Sequence, residues 1–223
     1  MAITNPTARK NDPDIRSPIG SIELGISLPL CGTETPNKTS IKTIKPGDTL
    51  EMAFSDRGAA HGGGHCQFAI SYNNKDFAVI QDELRHCFKN GPSITNQPEK
   101  TKYSIRLPNN LPTGMATIGW TWINALGNRE YYMGCVDVYV EGPTPSGNGA
   151  KFRGPRLLVV NHPTLGNGLV VPEFNGNYNT GLDLFDGRKM IEVGPGIANG
   201  FQEVDTKSGP PTSGDSSNNK VYV

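Results

Sequence analysis

Apolar residues recur at every second position through the middle of the chain, and that period commits the sequence to strands, because it sets those residues on one face of a sheet. Leu50, Met52 and Phe54 alternate after a Pro46-Gly47-Asp48 turn, and Cys66, Phe68, Ile70 and Tyr72 alternate before an Asn73-Asn74 turn. Residues 77–80 read as the hairpin partner of the second run. Further strands are expected at residues 103–107, 115–123, 131–140 and 157–161, and no strong amphipathic helix is found. Glycine (27) and proline (18) fill about a fifth of the 223 residues, against about 12% in an average chain. That excess suits short strands joined by many turns. Seven or so such strands with almost no helix favour an all-β fold, an antiparallel β-sandwich with long irregular loops.

The length suits a single domain over residues 1–200, with a core over about 1–161 and an irregular Gly-, Asn- and Pro-rich wrap over 162–200. Residues 201–223 form a polar tail. Between Asp205 and Lys220 it has no hydrophobic side chain to offset the entropy of ordering, so a flexible tail or linker is expected there.

Lys and Arg number 21, as do Asp and Glu, so no net field gathers nucleic acid or an anionic membrane surface. No run approaches 18 consecutive apolar residues, so a membrane-spanning helix is excluded, and with no heptad pattern a monomer is the default. The four cysteines, Cys31, Cys66, Cys87 and Cys135, lack the two-residue spacing of a zinc ribbon or redox pair and read as two disulfides. Disulfides imply an oxidising compartment, yet the first residues carry no apolar export signal; the simplest reconciliation is a secreted chain whose leader has been removed. An Asn37-Lys38-Thr39 triplet is a possible glycosylation acceptor.

Four histidines invite chemistry: His61, His65, His86 and His162. The spacing of His61-Gly62-Gly63-Gly64-His65 imitates the two-histidine zinc helix of metalloproteases. Three glycines in succession oppose a helix by about 1 kcal/mol each, and the glutamate that would serve as base is absent. The run is instead a loop, with His61 at a smooth, low-relief surface that a flat partner can approach. His65 lies near that face, orients the loop, or is simply a solvent-exposed or hydrogen-bonded histidine; His86 belongs to the loop bounded by Cys87, and His162 has no readable partner. Alternation along residues 130–140 gives Tyr132 and Glu130 the inward parity of Val136 and Val138, with Tyr131 facing outward. A tyrosine and a carboxylate at the mouth of a sandwich either flank a metal or form a hydrogen-bonded core edge. A serine hydrolase finds no support, since no Gly-x-Ser-x-Gly elbow occurs.

The blocks Ala60-His61-Gly62-Gly63-Gly64-His65-Cys66-Gln67, Trp120-Thr121-Trp122-Ile123-Asn124 and Gly127-Asn128-Arg129-Glu130-Tyr131-Tyr132-Met133-Gly134-Cys135 together resemble the fungal chitin-active lytic polysaccharide monooxygenases of auxiliary activity family eleven. The resemblance runs from Asn5-Pro6 to about Gly196. It implies an immunoglobulin- or fibronectin-III-like sandwich, secretion, one copper ion, and oxidative cleavage of insoluble chitin or a related polysaccharide with an external electron donor and O2 or H2O2. Matched by position, His61 is the second histidine of a copper-holding histidine brace, Tyr132 the axial tyrosine, Glu130 the outer carboxylate and Ala59 the small residue beside the open axial position. Tyr131 and His65 become candidate substrate contacts, and the implied disulfides are Cys31 to Cys135 and Cys66 to Cys87. The family's brace starts with an N-terminal histidine, whereas this sequence starts Met1-Ala2-Ile3-Thr4-Asn5-Pro6 with Met1 matching the second position, so a histidine is expected ahead of Met1. Nitrogen donors in a plane suit Cu(II). The alternative is a non-catalytic carbohydrate-binding or cell-wall protein that has lost the brace.

Overall fold

The computed structural model describes residues 1–9, 17–32, 35–36, 41–142, 149–196 and 219–222. The glycosylation triplet and most of the polar tail lie outside them. Among the described residues thirteen strands follow in order: β1 (Ile3–Asn5), β2 (Gly20–Ser21), β3 (Ile26–Ser27), β4 (Lys42–Ile44), β5 (Thr49–Phe54), β6 (Gly64–Ser71), β7 (Ala78–Glu83), β8 (Lys102–Arg106), β9 (Gly114–Asn124), β10 (Glu130–Val140), β11 (Phe152–Pro155), β12 (Met190–Val193) and β13 (Asn219–Val221). One short helix, α1 (Leu182–Asp186), precedes β12.

Two sheets make the sandwich. The smaller has the order β1-β5-β8, and the larger runs β13-β7-β6-β9-β10-β2-β3 with β4 alongside β10 in parallel. Between them the alternating residues meet as expected: Leu50, Met52 and Phe54 of β5 join Tyr103 and Ile105 of β8 against Phe68, Ile70, Ile118, Trp120, Trp122, Tyr132, Val136 and Val138. Each large apolar side chain buried there contributes about 1.5–3 kcal/mol. Cys31 bonds to Cys135 and Cys66 to Cys87, the pairing the resemblance implied.

The larger sheet is also covered on its other face. Ala69, Phe77, Val79, Tyr131, Met133 and Cys135 pack under Leu157, Leu158, Val160, Val171, Phe174 and Phe185 of the C-terminal wrap. Every residue of β6 is consequently buried. Residues 157–161 correct the strand expected there: the sheet's side chains replace a strand ladder. Leu158 N–H donates to Gln67 Oε1 at 2.9 Å, and the Leu158 carbonyl accepts from Gln67 Nε2 at 2.9 Å and from the Tyr131 hydroxyl at 2.8 Å. An apolar run that fills a core from outside the sheet has the composition of a strand without its pairing.

The end of the expected tail is docked. Asn219–Val221 pairs antiparallel with β7, and Tyr222 Oη donates to Asp82 Oδ2 at 2.8 Å beside Arg188. Asp82 is fully buried, so this network supplies the partners that a buried carboxylate requires.

Candidate metal centre at the sandwich mouth

The loop between β5 and β6 turns through left-handed backbone: His61 has φ 44, followed by Gly62 at 70, Gly63 at 97 and Gly64 at 124. Only glycine adopts the last two values freely, which explains the triple glycine. These glycines face inward. A Cβ on Gly62 would lie 2.6 Å from Leu126 Cδ1, and one on Gly64 would lie 2.0 Å from the Ile123 carbonyl. Their small size thus lets the loop seat against the protein, a correction to the expectation that it bares the surface for a partner.

Seating the loop fixes His61. Its carbonyl accepts from Leu126 N–H at 2.9 Å, its ring lies 5.8 Å from Trp122, and its Nδ1 is 3.4 Å from where a Gly127 Cβ would stand. The imidazole is half-buried, and burial is the main cause that pulls its pKa below the ordinary histidine value. The Glu130 charge opposes that shift, while Arg129 adds to it.

The amino terminus reaches the site because β1 pairs with β5 and Ser55 N–H donates to the Ala2 carbonyl at 2.8 Å. A Cβ on Gly58 would lie 2.7 Å from the Met1 nitrogen, so the chain's first described residue sits against the start of the His61 loop. Ala59 is half-buried in that loop, and Ala60 is fully buried with its N–H on the Asn96 carbonyl at 2.6 Å. Met1, Ala2 and Ile3 also line, with Trp120 and Tyr132, a cavity of about 20 Å³, room for roughly one water.

Tyr132 completes the mouth. Its hydroxyl donates to Glu130 Oε2 at 2.6 Å, and its ring lies 4.9 Å from Trp122. Burial, then the bond to Glu130 and that carboxylate's charge, push the phenol pKa upward, so it keeps its proton. Both residues are nearly buried, Tyr132 at 6% exposure and Glu130 at 8%, as their inward parity required.

Two expected substrate contacts are overturned. Tyr131 has no exposed surface and lies under the wrap, because the face opposite the sandwich core is not solvent. His65 is equally buried: Nδ1 accepts from Arg85 N–H, Nε2 pairs with the Thr180 carbonyl, and Phe174 and Phe185 flank the ring at 4.9 and 5.0 Å. His86 packs on Tyr178 with ring centroids 4.6 Å apart, and His162 Nε2 pairs with the Leu28 carbonyl at 2.7 Å.

Sequence reasoning left several residues of the site without a role. Trp122 and Arg129 lie in the quoted blocks, where Trp122 falls in an expected strand and neither is given a role of its own. Arg129 is buried, with its guanidinium on the Gly127 and Asn124 carbonyls. Glu173 and Tyr178 of the wrap carried no signal at all.

As for a metal, no group of three or more His, Cys, Asp or Glu side chains converges among the described residues. The donors at the mouth are the His61 imidazole, the Tyr132 phenol and the backbone start of the chain. That set offers a metal ion one imidazole nitrogen and one phenol oxygen besides backbone.

No family model matches the chain. It is 36% identical over 160 residues to an AA11 family lytic polysaccharide monooxygenase A of Aspergillus fumigatus, spanning 70% of this chain and 65% of that one. It is 31% identical over 122 residues to an AA11 family lytic polysaccharide monooxygenase of Aspergillus oryzae, spanning 49% of this chain and 28% of the relative. A solved cellulose-active polysaccharide monooxygenase from M. thermophila superposes with a TM-score of 0.40 and 15% identity over 65% of each chain, too loosely to carry residues across. The chain thus spans 65% and 28% of the lengths of the two curated relatives. On these identities it is a homologue of the fungal AA11 family lytic polysaccharide monooxygenases.

Proposed function

We propose that the chain is the catalytic part of a secreted, copper-dependent lytic polysaccharide monooxygenase that cleaves crystalline chitin or a related polysaccharide oxidatively. The observation that carries the reading is the meeting, at one mouth, of the chain's start, the His61 imidazole and a tyrosine held by a carboxylate. In this reading His61, with the amine and imidazole of a histidine ahead of Met1, would hold one copper ion, with the Tyr132 phenol beside it. Copper would supply the one-electron redox chemistry and oxygen activation that side chains lack, with an external reductant and O2 or H2O2 as co-reactants.

The chain's own groups have roles that follow from their contacts. Glu130 holds the phenol proton through the 2.6 Å bond, so Tyr132 remains a neutral, weak donor. Trp122 packs against both the His61 and the Tyr132 rings and so helps to hold them near one another. Ala59, half-buried in the same loop, would by its small size leave space beside the site, the role that the resemblance implies. Two disulfides favour an oxidising, extracellular setting, and no helix among the described residues is long and apolar enough to cross a membrane.

The test combines an intact mass of the secreted protein, a Cu(II) titration, and mass spectrometry of chitin treated with protein, copper and ascorbate. A histidine ahead of Met1, tight one-to-one binding lost in His61→Ala, and oxidised oligosaccharides are expected. Weak, nonspecific uptake with retention on chitin would mean a non-catalytic carbohydrate-binding protein instead.

A further inference from the structure

The C-terminal wrap does more than cover the sheet, because it touches the backbone on both sides of His61. On one side Glu173 Oε1 accepts from Gly127 N–H at 2.8 Å, and Phe174 N–H donates to the Ala125 carbonyl at 2.9 Å. These bonds hold residues 125–127, whose Leu126 N–H caps the His61 carbonyl and whose Gly127 lies against His61 Nδ1. On the other side the Tyr178 hydroxyl accepts from Ser93 N–H at 2.9 Å and donates toward the Ser93 carbonyl at 2.8 Å, with the Gly62 carbonyl 3.3 Å away. The Ser93 carbonyl is itself 2.9 Å from where a Gly62 Cβ would stand.

His61 needs such support. A non-glycine residue in left-handed backbone is costly and persists only where its surroundings over-determine it. Polar contacts reach the loop beside it from residues 125–127, from the Asn96 carbonyl and from Tyr178. A half-exposed ring on an unsupported glycine loop would sample several orientations, and a metal ligand must be held in one. The wrap itself is anchored, since Phe174 is buried against His65 and within 5.8 Å of the Tyr178 ring.

We infer that Glu173 and Tyr178 are positioning residues that clamp the His61 loop from its two sides and so set the direction of the imidazole. The clamp is a statement about this chain with or without metal; its consequence for copper rests on the function proposed above. The Glu173 contact needs an acceptor rather than a charge, so Glu173→Gln retains it and Glu173→Ala does not. Tyr178→Phe removes the hydroxyl and keeps the ring.

The experiment reads the His61 ring by long-range proton–nitrogen correlation in the metal-free protein, with His162 as internal control, together with Cu(II) affinity and thermal unfolding. In Glu173→Ala and Tyr178→Phe the His61 signals should move or broaden while those of His162 stay. Copper affinity should fall about three- to tenfold, at or below the low end of what groups supporting a metal ligand contribute. Glu173→Gln should restore both readouts, which a general loss of stability would not do. His61 signals unmoved in both variants would overturn the clamp, and moved signals with unchanged copper affinity would overturn its consequence for the metal. Should His61→Ala itself leave copper affinity unchanged, the proposed copper site fails while the metal-free spectra still decide the clamp.

Discussion

Gly64→Ala tests the seating of the His61 loop directly. Gly64 has φ 124, a region that side-chain-bearing residues enter at a cost of about 1–3 kcal/mol. Its Cβ would also stand 2.0 Å from the Ile123 carbonyl, 3.0 Å from Ala125 N and 3.1 Å from the Asn124 carbonyl carbon, all backbone atoms. Backbone cannot swing aside as a side chain can, so the end of β9 must retreat from β6, adding about 1–3 kcal/mol as in other overpacked sites. The two terms together give a loss of roughly 2–6 kcal/mol, and at about 2–4 °C per kcal/mol for a chain of this size the melting temperature should fall by roughly 4–24 °C. Gly91→Ala is the matched control, since nothing lies within 4 Å of its Cβ. Scanning calorimetry of both variants under one set of conditions makes the comparison. Because Ala125 adjoins Leu126, which caps His61, the Gly64 variant should also perturb the His61 ring signals. A Gly64→Ala protein melting within a degree or two of Gly91→Ala would refute both the backbone geometry and the argument that the glycines seat the loop.

Tyr131→Phe should lose about 1 kcal/mol, the usual contribution of one buried hydrogen bond, and leave polysaccharide retention unchanged in a pull-down; a strong loss of retention would return Tyr131 to the surface. Burial lowers the His65 pKa from 6.5 to about 4, so below pH 6.5 the unfolded chain binds a proton that the folded one does not. Stability should therefore fall as pH drops from about 6.5 to 4, by up to roughly 3 kcal/mol, and chemical denaturation across that window should show the slope reduced in His65→Gln. Asp82→Ala strands the buried Arg188 guanidinium and should cost about 3–5 kcal/mol, with faster amide exchange at residues 219–222 as their anchor is lost. An exchange rate there equal to wild type would show that the strand pairing alone holds the chain's end.

Much of the sandwich was legible because its strands obey a period of two. Leu50, Met52 and Phe54, and Phe68 and Ile70, needed no partner to declare which face they share, and the inward parity of Glu130 and Tyr132 followed from the same rule. The His61 loop was legible as a loop for an equally local reason, the conformational freedom of three glycines. What alternation cannot report is what covers the other face. Tyr131 and His65 were assigned to a solvent or substrate face that the wrap occupies, and residues 157–161 passed for a strand because burial selects the same side chains whether or not a ladder forms. Glu173 and Tyr178 were invisible, since a residue that acts through another's backbone leaves no pattern in its own neighbourhood. The sequence alone thus determined the strand-borne core and the residue types available at the mouth, both set by interactions among near neighbours. Only the tertiary structure decided that the chain's start, His61 and Tyr132 meet and that the wrap grips them, because those contacts join segments more than 45 residues apart and depend on which surfaces the sheets leave to be covered.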